Sequence, residues 1–170
     1  LRLGLRPCQL LDASASLVPF RPPRVLQHAL KQAIRGSDLR DYPDRSQAAL
    51  RQAIADWHGL NPECVLPGNG ASELFTWAAR DASRAGVSGL PEPGFADYRR
   101  ALTCWDSSLK SLPLSLRWPA LWPQAWPFQH DSDGICQALW ITNPHNPTGQ
   151  LWSRASLEPL LQHYSLVICD

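Results

Sequence analysis

The chain has 170 residues, of which 44% are hydrophobic and 18% are charged, and its formal net charge is +1. This composition is typical of a folded globular protein rather than a disordered one, and the balanced charge gives no long-range attraction to nucleic acid or to an anionic membrane. No apolar run approaches the ~20 residues that cross a bilayer as a helix. The sequence therefore predicts a globular protein without nucleic-acid or membrane partners.

The first predicted elements are two amphipathic helices. Two prolines at 22–23 precede apolar residues at helical spacing and Gly36 follows them, which predicts a helix between these signals. Residues 41–44 form a predicted turn. Ser46 is then predicted to cap a second helix that ends near Gly59.

Short strands and helices alternate in the next part of the chain. Residues 65–66 and 87–90 are predicted strands, whereas 71–85 and 95–104 are predicted helices. A tight Gly-Asn-Gly turn at 68–70 precedes the first of these helices. This alternation favours βαβ units and an α/β fold with a mostly parallel sheet.

The last third contains an irregular stretch followed by another strand–helix–strand unit. Residues 112–128 carry repeated Trp-Pro pairs and are predicted to be an irregular surface excursion within the domain. Residues 138–142 and 166–169 are predicted buried strands, joined by a helix that Ser153 caps and that reaches about residue 163.

Five cysteines are spread along the chain without a C-x-x-C pair, at positions 8, 64, 104, 136 and 169. An odd number of dispersed cysteines argues against a disulfide framework or a zinc site. Reduced thiols, no metal and a cytoplasmic location are therefore predicted.

The glycine turn that opens the helix at residue 71 is a candidate anion site. Free N–H groups at a helix start attract anions, Gly70 allows close approach to the backbone, and Ser72 adds a hydroxyl donor. Glu73 stands where a dinucleotide fingerprint needs its third glycine, and no Gly-Lys-Ser/Thr follows as in a Walker A loop. A capped helix start that binds nothing is the alternative, about equally consistent with these residues.

The segment ITNPHNPTGQ, residues 141–150, ends a predicted strand in two Asn-Pro pairs. The proline rings restrict the backbone and bias the preceding asparagines toward extended geometry. Asn146 would then stand at the carboxyl end of a strand, where open α/β sheets bind ligands, and could donate a hydrogen bond to a phenolate-like oxygen. An ordinary turn is the alternative, because Asn, Pro and Gly are common turn residues.

Asp170 follows four apolar residues. A carboxylate at the end of a buried strand is either costly or paired, and a protonated ring nitrogen is one partner that would keep it ionised. A solvent-exposed strand end is the alternative.

Four strings in family order carry a resemblance to the class I/II aminotransferases, the pyridoxal-phosphate (PLP) enzymes of fold type I. They are DYPD with LRQAI at 41–54, PECVLPGNG at 62–70, PGFADY at 93–98 and NPTG at 146–149. Within the family the chain most resembles the branch of threonine-phosphate decarboxylase, an enzyme of cobalamin biosynthesis, and histidinol-phosphate aminotransferase. LDASASLVP at 11–19 resembles the start of the decarboxylase, which usually has Asn where Val18 stands. The resemblance implies a PLP-dependent enzyme acting on a small amino acid, free or phosphorylated.

The resemblance also implies roles for seven residues. These are Gly70, Ala71 and Ser72 at the cofactor phosphate, Phe95 stacked on the pyridine ring, Asn146 at the ring hydroxyl, Asp170 at the ring nitrogen, and Tyr42 at the phosphate of the partner subunit. The last contact implies a homodimer. A core phenylalanine and a turn tyrosine remain the alternatives for Phe95 and Tyr42.

The same resemblance implies an incomplete domain plan. Residues 1–40 correspond to an N-terminal arm and helix of the small domain, and 41–170 to the N-terminal part of a three-layer PLP-binding large domain. The family's Schiff-base lysine and substrate-carboxylate arginine are expected downstream of Asp170, since Lys31 and Lys110 lie elsewhere. No catalytic residue is therefore expected in this chain. Two alternatives are a non-catalytic protein that binds PLP or a partner, and an α/β domain that binds another phosphate ligand.

Overall fold

The computed structural model describes residues 18, 20–37, 39–115, 125–128 and 134–170. The chain divides into two compact units, residues 1–62 and 63–170. The boundary predicted at residue 40 for the family's small and large domains stays a prediction. Apart from Val18, the string at 11–19 lies outside the described residues, as does the part of the Trp/Pro-rich stretch at 116–124.

The first unit contains the two predicted helices, α1 (Arg24–Arg35) and α2 (Ala48–His58). Gly36 ends α1 and donates its N–H to the Gln32 carbonyl at 2.9 Å. Gly59, in the left-handed conformation, ends α2. Both stop signals were therefore readable from glycine positions.

The predicted cap of α2 is wrong. Ser46 lies before the helix, and it donates both its N–H and its hydroxyl to Asp44 Oδ1, at 2.9 and 2.7 Å. Asp44 Oδ2 accepts from the Ala48 N–H at 2.9 Å and so satisfies the helix start instead. A carboxylate two residues farther back makes the stronger, charge-assisted contact, and these hydrogen bonds lower the pKa of Asp44, with Ser46 as the largest cause.

The second unit alternates helices and strands. In chain order it contains α3 (Ala71–Ala85), β1 (Val87–Glu92), α4 (Ala96–Thr103), β2 (Leu109–Pro113), β3 (Cys136–Ile141), α5 (Arg154–Leu157) with a 3₁₀ helix (Glu158–Gln162), and β4 (Leu166–Cys169). Ser153 caps α5 as predicted, its side chain accepting from the Ser156 N–H at 3.3 Å. The predicted α/β class is confirmed.

The four strands form one parallel sheet in the order β2-β1-β3-β4. Their carboxyl ends therefore meet at one edge, which carries the residues following Glu92, Ile141 and Cys169. No helix among the described residues is long and apolar enough to span a membrane.

Side chains of the central strand β3 alternate between two hydrophobic clusters. Ala138 and Trp140 pack on one side with Phe75 and Tyr98, from the two helices α3 and α4. Leu139 and Ile141 belong to the other cluster, with Trp152 and Leu160 from the segment after β3. Both faces of β3 are therefore buried, which explains its nearly continuous apolar sequence.

Two strand predictions differ from the structure. Residues 65–66 lie outside the four strands of the sheet. The strand at 109–113 is missing from the prediction, because Lys110 and Ser111 interrupt its apolar pattern and Pro113 is tolerated at a sheet edge. The predicted excursion at 112–128 therefore starts inside β2; its other described residues, 114–115 and 125–128, lie outside helices and strands.

Candidate functional site

The candidate site lies in the second unit, where the carboxyl edge of the sheet meets the starts of α3 and α4. Phe95 precedes α4, Thr142 follows β3 and Asp170 follows β4. In open parallel sheets this edge is the usual place of a ligand. The sheet topology thus brings together residues that are far apart in sequence.

Asp170 is held at this edge by two kinds of hydrogen bond. Its backbone continues the β3–β4 pairing, because the Asp170 N–H donates to the Ile141 carbonyl at 2.8 Å and the Asn143 N–H donates to the Asp170 carbonyl at 2.9 Å. Its side chain accepts at Oδ2 from the Tyr98 hydroxyl, at 2.5 Å. Among the described residues, no hydrogen bond reaches the other carboxylate oxygen, Oδ1.

The hydroxyls of Tyr98 and Thr142 extend this contact into the protein. Their oxygens are 2.6 Å apart. Because Tyr98 gives its single proton to the carboxylate, Thr142 must be the donor in the second bond. Burial, followed by the Asp170 contact, raises the pKa of Tyr98 well above its usual value, so Tyr98 remains a protonated donor at neutral pH.

The start of α3 offers backbone donors that no side chain caps. Gly70 has φ of +83°, and a Cβ at this position would meet nothing within 4 Å, so the space beside it is open. Glu73 turns back to accept from the Asn69 N–H at 2.6 Å. The helix start therefore fits an anion in both its donors and its open space.

Ser72 is held by two charged residues of α4. Its hydroxyl donates to Asp97 Oδ2 at 2.8 Å, and Arg100 Nη2 donates to the Ser72 carbonyl at 3.1 Å and to its hydroxyl oxygen at 2.9 Å. Arg100 also forms an ion pair with Asp97. Arg100 first, and Ser72 second, lower the pKa of Asp97, so this carboxylate stays ionised beside the helix start.

The Asn-Pro loop is fixed from inside by a histidine. His145 is 3% exposed; its Nδ1 lies 2.7 Å from the Thr148 hydroxyl, and its ring makes an edge contact with Trp152. Burial lowers the pKa of His145, which favours the neutral ring. Asn143 also holds the loop, because its side-chain amide accepts from the Trp152 N–H at 3.0 Å and donates to the Trp152 carbonyl at 3.2 Å.

Asn146 itself lies exposed in this loop, between the buried His145 and the exposed Pro147. The bonds from Asn143 to Pro144 and from Asn146 to Pro147 are both cis. Asn146 is thus exposed directly beside a histidine that is buried and hydrogen-bonded.

Phe95 is 40% exposed and makes edge contacts with the rings of Phe75 and Tyr98. It lines a cleft of about 310 Å³ together with Glu92 and Arg99, which form an ion pair. Phe95 thus packs against the aromatic core and is also partly exposed, so a core role and a ligand-stacking role both stay predictions. A ring with one partly open face can still stack on a ligand.

Tyr42 belongs to the first compact unit and is fully exposed. Its predicted contact with a partner subunit stays a prediction, as do the cofactor roles of the other six residues.

Several residues at the site were not singled out in the sequence. They are Asp97, Tyr98, Arg100, Thr142 and His145. Asp97 and Tyr98 stand within the quoted PGFADY string, and Thr142 is the last residue of a predicted strand, so their positions were available as signals. Their partners were not, because each partner lies on another element.

The arrangement fits PLP in its donors and acceptors. Asp170 Oδ1 can accept from a protonated ring nitrogen, and the uncapped start of α3 can donate to a phosphate. Both features lie in the same unit and are connected through α4, which contacts Ser72 by Arg100 and Asp170 by Tyr98.

A family model described as aminotransferase class I and II matches residues 9–170. Threonine-phosphate decarboxylase of Salmonella typhimurium is 33% identical over 168 residues, covering 94% of this chain and 42% of that protein. Histidinol-phosphate aminotransferase of Stutzerimonas stutzeri is 29% identical, covering 99% of this chain and 45% of that protein.

Solved structures share the fold. L-threonine-O-3-phosphate decarboxylase from Porphyromonas gingivalis matches with a TM-score of 0.69 at 22% identity, over 91% of this chain and 46% of that one. Histidinol-phosphate aminotransferase from Sinorhizobium meliloti, solved in complex with pyridoxal-5'-phosphate, matches with a TM-score of 0.66 at 21% identity, over 88% of this chain and 40% of that one. The chain thus spans less than half the length of the relatives it matches.

Proposed function

The chain belongs to the aminotransferase class I and II family, whose cofactor is PLP, and on this premise we propose that it forms the N-terminal part of a PLP-binding large domain. The observation that carries the proposal is the Asp170 carboxylate at the ligand-binding edge of a parallel sheet, oriented by a buried tyrosine. A carboxylate so placed suits a protonated ring nitrogen.

In this proposal each residue contacts a different part of the cofactor. Gly70, Ala71 and Ser72 hold the phosphate through the donors and dipole of α3, and Phe95 stacks on the ring. Asn146 donates to the ring hydroxyl and Asp170 accepts from the ring nitrogen. When bound, PLP supplies a protonated ring that withdraws electrons from the substrate's α-carbon. Asp170 supports this by keeping the nitrogen protonated.

The proposed reaction is the decarboxylation of a small phosphorylated amino acid, as in threonine-phosphate decarboxylase. The 33% identity to the Salmonella typhimurium enzyme supports it. The second candidate is a histidinol-phosphate-type aminotransferase, which the 29% identity over 99% of this chain favours. The lysine that binds PLP covalently is proposed to lie downstream of Asp170, so the chain alone is proposed to be inactive.

Assembly and location are also proposed from the family. Tyr42 would reach the phosphate in a partner subunit of a homodimer, and its full exposure leaves it available for that contact. Cys64, Cys104 and Cys169 are free thiols, which is consistent with a cytoplasmic enzyme.

The test is to titrate the protein purified from its native source with PLP and to measure binding by the absorbance of PLP. The wild type is expected to bind. Asp170→Asn is expected to weaken binding about tenfold, because it loses the contact to a charged ring nitrogen. Ser72→Ala is expected to weaken binding about fivefold, because Asp97 and Arg100 lose the hydroxyl that holds them at the helix start. Ser83→Ala, at the other end of the same helix, serves as the matched control and should bind as the wild type does.

Borohydride treatment of the complex then distinguishes a PLP enzyme, a non-catalytic PLP-binding protein and a domain that binds another phosphate ligand. PLP fixed covalently to one lysine supports the enzyme, and a product assay with threonine phosphate distinguishes decarboxylation from amino transfer. If PLP binds only reversibly, the proposal of an enzyme would be wrong and a non-catalytic PLP-binding protein would take its place. No PLP binding by the wild type would contradict the proposal and favour another phosphate ligand at α3.

A further inference from the structure

We propose that Tyr98, supported by Thr142, is a positioning residue that orients the Asp170 carboxylate toward the ring nitrogen of PLP. This inference rests on the proposed function and deepens it. It concerns residues to which the sequence assigned no role, and it predicts how they act on the cofactor through Asp170 rather than by touching it.

The ring of Tyr98 is fixed by its surroundings. It is 5% exposed and packs against Phe75, Phe95 and Trp140, with ring centroids 5.0, 5.5 and 5.3 Å away. Three aromatic neighbours on α3, β3 and the start of α4 leave the ring little freedom. The position of its hydroxyl is therefore set by the core and not by the ligand.

Thr142 determines the direction of the chain of hydrogen bonds. It is also buried, at 9% exposure, and its hydroxyl faces the Tyr98 oxygen at 2.6 Å. With Thr142 as donor to that oxygen, the Tyr98 proton is directed at Asp170. A donor chain that ends on a carboxylate polarises each bond in the same direction and so strengthens the contact.

Asp170 needs this support to hold its carboxylate in one direction. Its backbone is paired with β3, but backbone pairing leaves rotation about the side-chain bonds free. The Tyr98 contact selects one rotamer by holding Oδ2, and Oδ1 is left to accept from the ring nitrogen.

The experiment measures the dissociation constant of PLP for the wild type, Tyr98→Phe, Asp170→Ala and the double variant. Tyr98→Phe removes only the hydroxyl and keeps the packed ring. It is expected to weaken PLP binding about fivefold to tenfold. Thr142→Val removes the supporting donor and is expected to weaken binding about twofold to threefold. Tyr164→Phe, a buried tyrosine of the other hydrophobic cluster, is the matched control and should bind as the wild type does.

The double variant distinguishes positioning from general destabilisation. If Tyr98 acts through Asp170, Tyr98→Phe has no further effect once Asp170→Ala is present. PLP with an isotope-labelled ring nitrogen gives a second readout, because the nitrogen chemical shift of the Tyr98→Phe complex should move toward that of the Asp170→Ala complex. Unfolding curves without PLP identify any variant that does not fold. If Tyr98→Phe does not fold, Thr142→Val replaces it, alone and combined with Asp170→Ala.

Two results would overturn the inference alone, namely wild-type affinity for PLP in Tyr98→Phe while Asp170→Ala binds weakly, or fully additive losses in the double variant. Failure of the wild type to bind PLP would overturn the proposed function, and the inference with it.

Discussion

At the start of α3, Ser72 is bonded to Asp97 and Arg100 at the protein surface, whereas at the end of β4 Asp170 is bonded to a tyrosine that is 5% exposed. Water competes with and screens the first set of contacts, which therefore add little stability. The second set ends in the hydrophobic core, where an unpaired polar group is costly. The end of the candidate site that is proposed to hold the phosphate is thus adjustable, and the end that is proposed to hold the ring nitrogen is rigid.

One helix serves both ends. Asp97 and Arg100 lie on the exposed side of α4, and Tyr98 lies on its buried side. Because neighbouring positions on a helix face different directions, eight residues can present an ion pair to solvent and a hydroxyl to the core. Substitutions on α4 can therefore separate the two ends.

The largest expected effect comes from removing the ring that joins the rigid end to the core. Tyr98→Ala is expected to lower the free energy of unfolding by about 3–5 kcal/mol, as for other buried aromatic residues. Tyr98→Phe keeps the ring and should cost about 1 kcal/mol, the usual net value of one hydrogen bond. Urea unfolding of both variants measures the difference. Equal losses would mean that the hydroxyl, and not the packing of the ring, stabilises this end.

A smaller effect is expected on acidification, from the histidine inside the Asn-Pro loop. Burial lowers the pKa of His145 in the folded state, so the unfolded chain binds the proton more readily and stability falls as pH falls through the ordinary histidine range. Between about pH 7 and pH 5, wild type should therefore lose stability that His145→Asn does not lose.

Urea midpoints at the two pH values measure this effect. The matched control is His28→Asn, an exposed histidine on α1, which should retain the wild-type pH dependence. If His145→Asn is as acid-sensitive as wild type, the loop is not held by a neutral buried ring.

The smallest effect on stability is expected at the exposed end. Arg100→Met removes the cation that pairs with Asp97 and contacts Ser72, and it should change the urea midpoint little because this pair is solvated. Any difference from the wild type should shrink further at high salt. A large, salt-independent loss of stability would show that the two ends do not differ in the way described.

Local signals in the sequence were sufficient where one segment decides its own structure. The bounds of α3 follow from the glycines at its two ends and from helical spacing of apolar residues, and the structure has the predicted helix at 71–85. β4 likewise follows from its apolar run at 166–169. The edge strand β2 was missed because its pairing with β1, not its own pattern, makes it a strand.

The candidate site was predictable only in part for a similar reason. Gly70, Asn146 and Asp170 stand at recognisable turns and strand ends, and the family strings mark them. The contact between Tyr98 and Asp170 joins residues 72 positions apart, and no local pattern encodes it. The start of α2 is a smaller case: the cap was predicted at Ser46, whereas Asp44, two residues earlier, accepts from the Ala48 N–H.

By itself, the sequence determined the fold class, the family and the identity of the polar groups at the strand ends, because periodicity, glycine placement and short motifs act over a few residues. Only the tertiary structure decided which of these groups are held and by what. Parallel pairing of β3 and β4 brings Asp170 beside Thr142, and packing of α4 directs Tyr98 onto both. Such contacts depend on burial and on distances across the sheet, which arise only when the separate elements pack together.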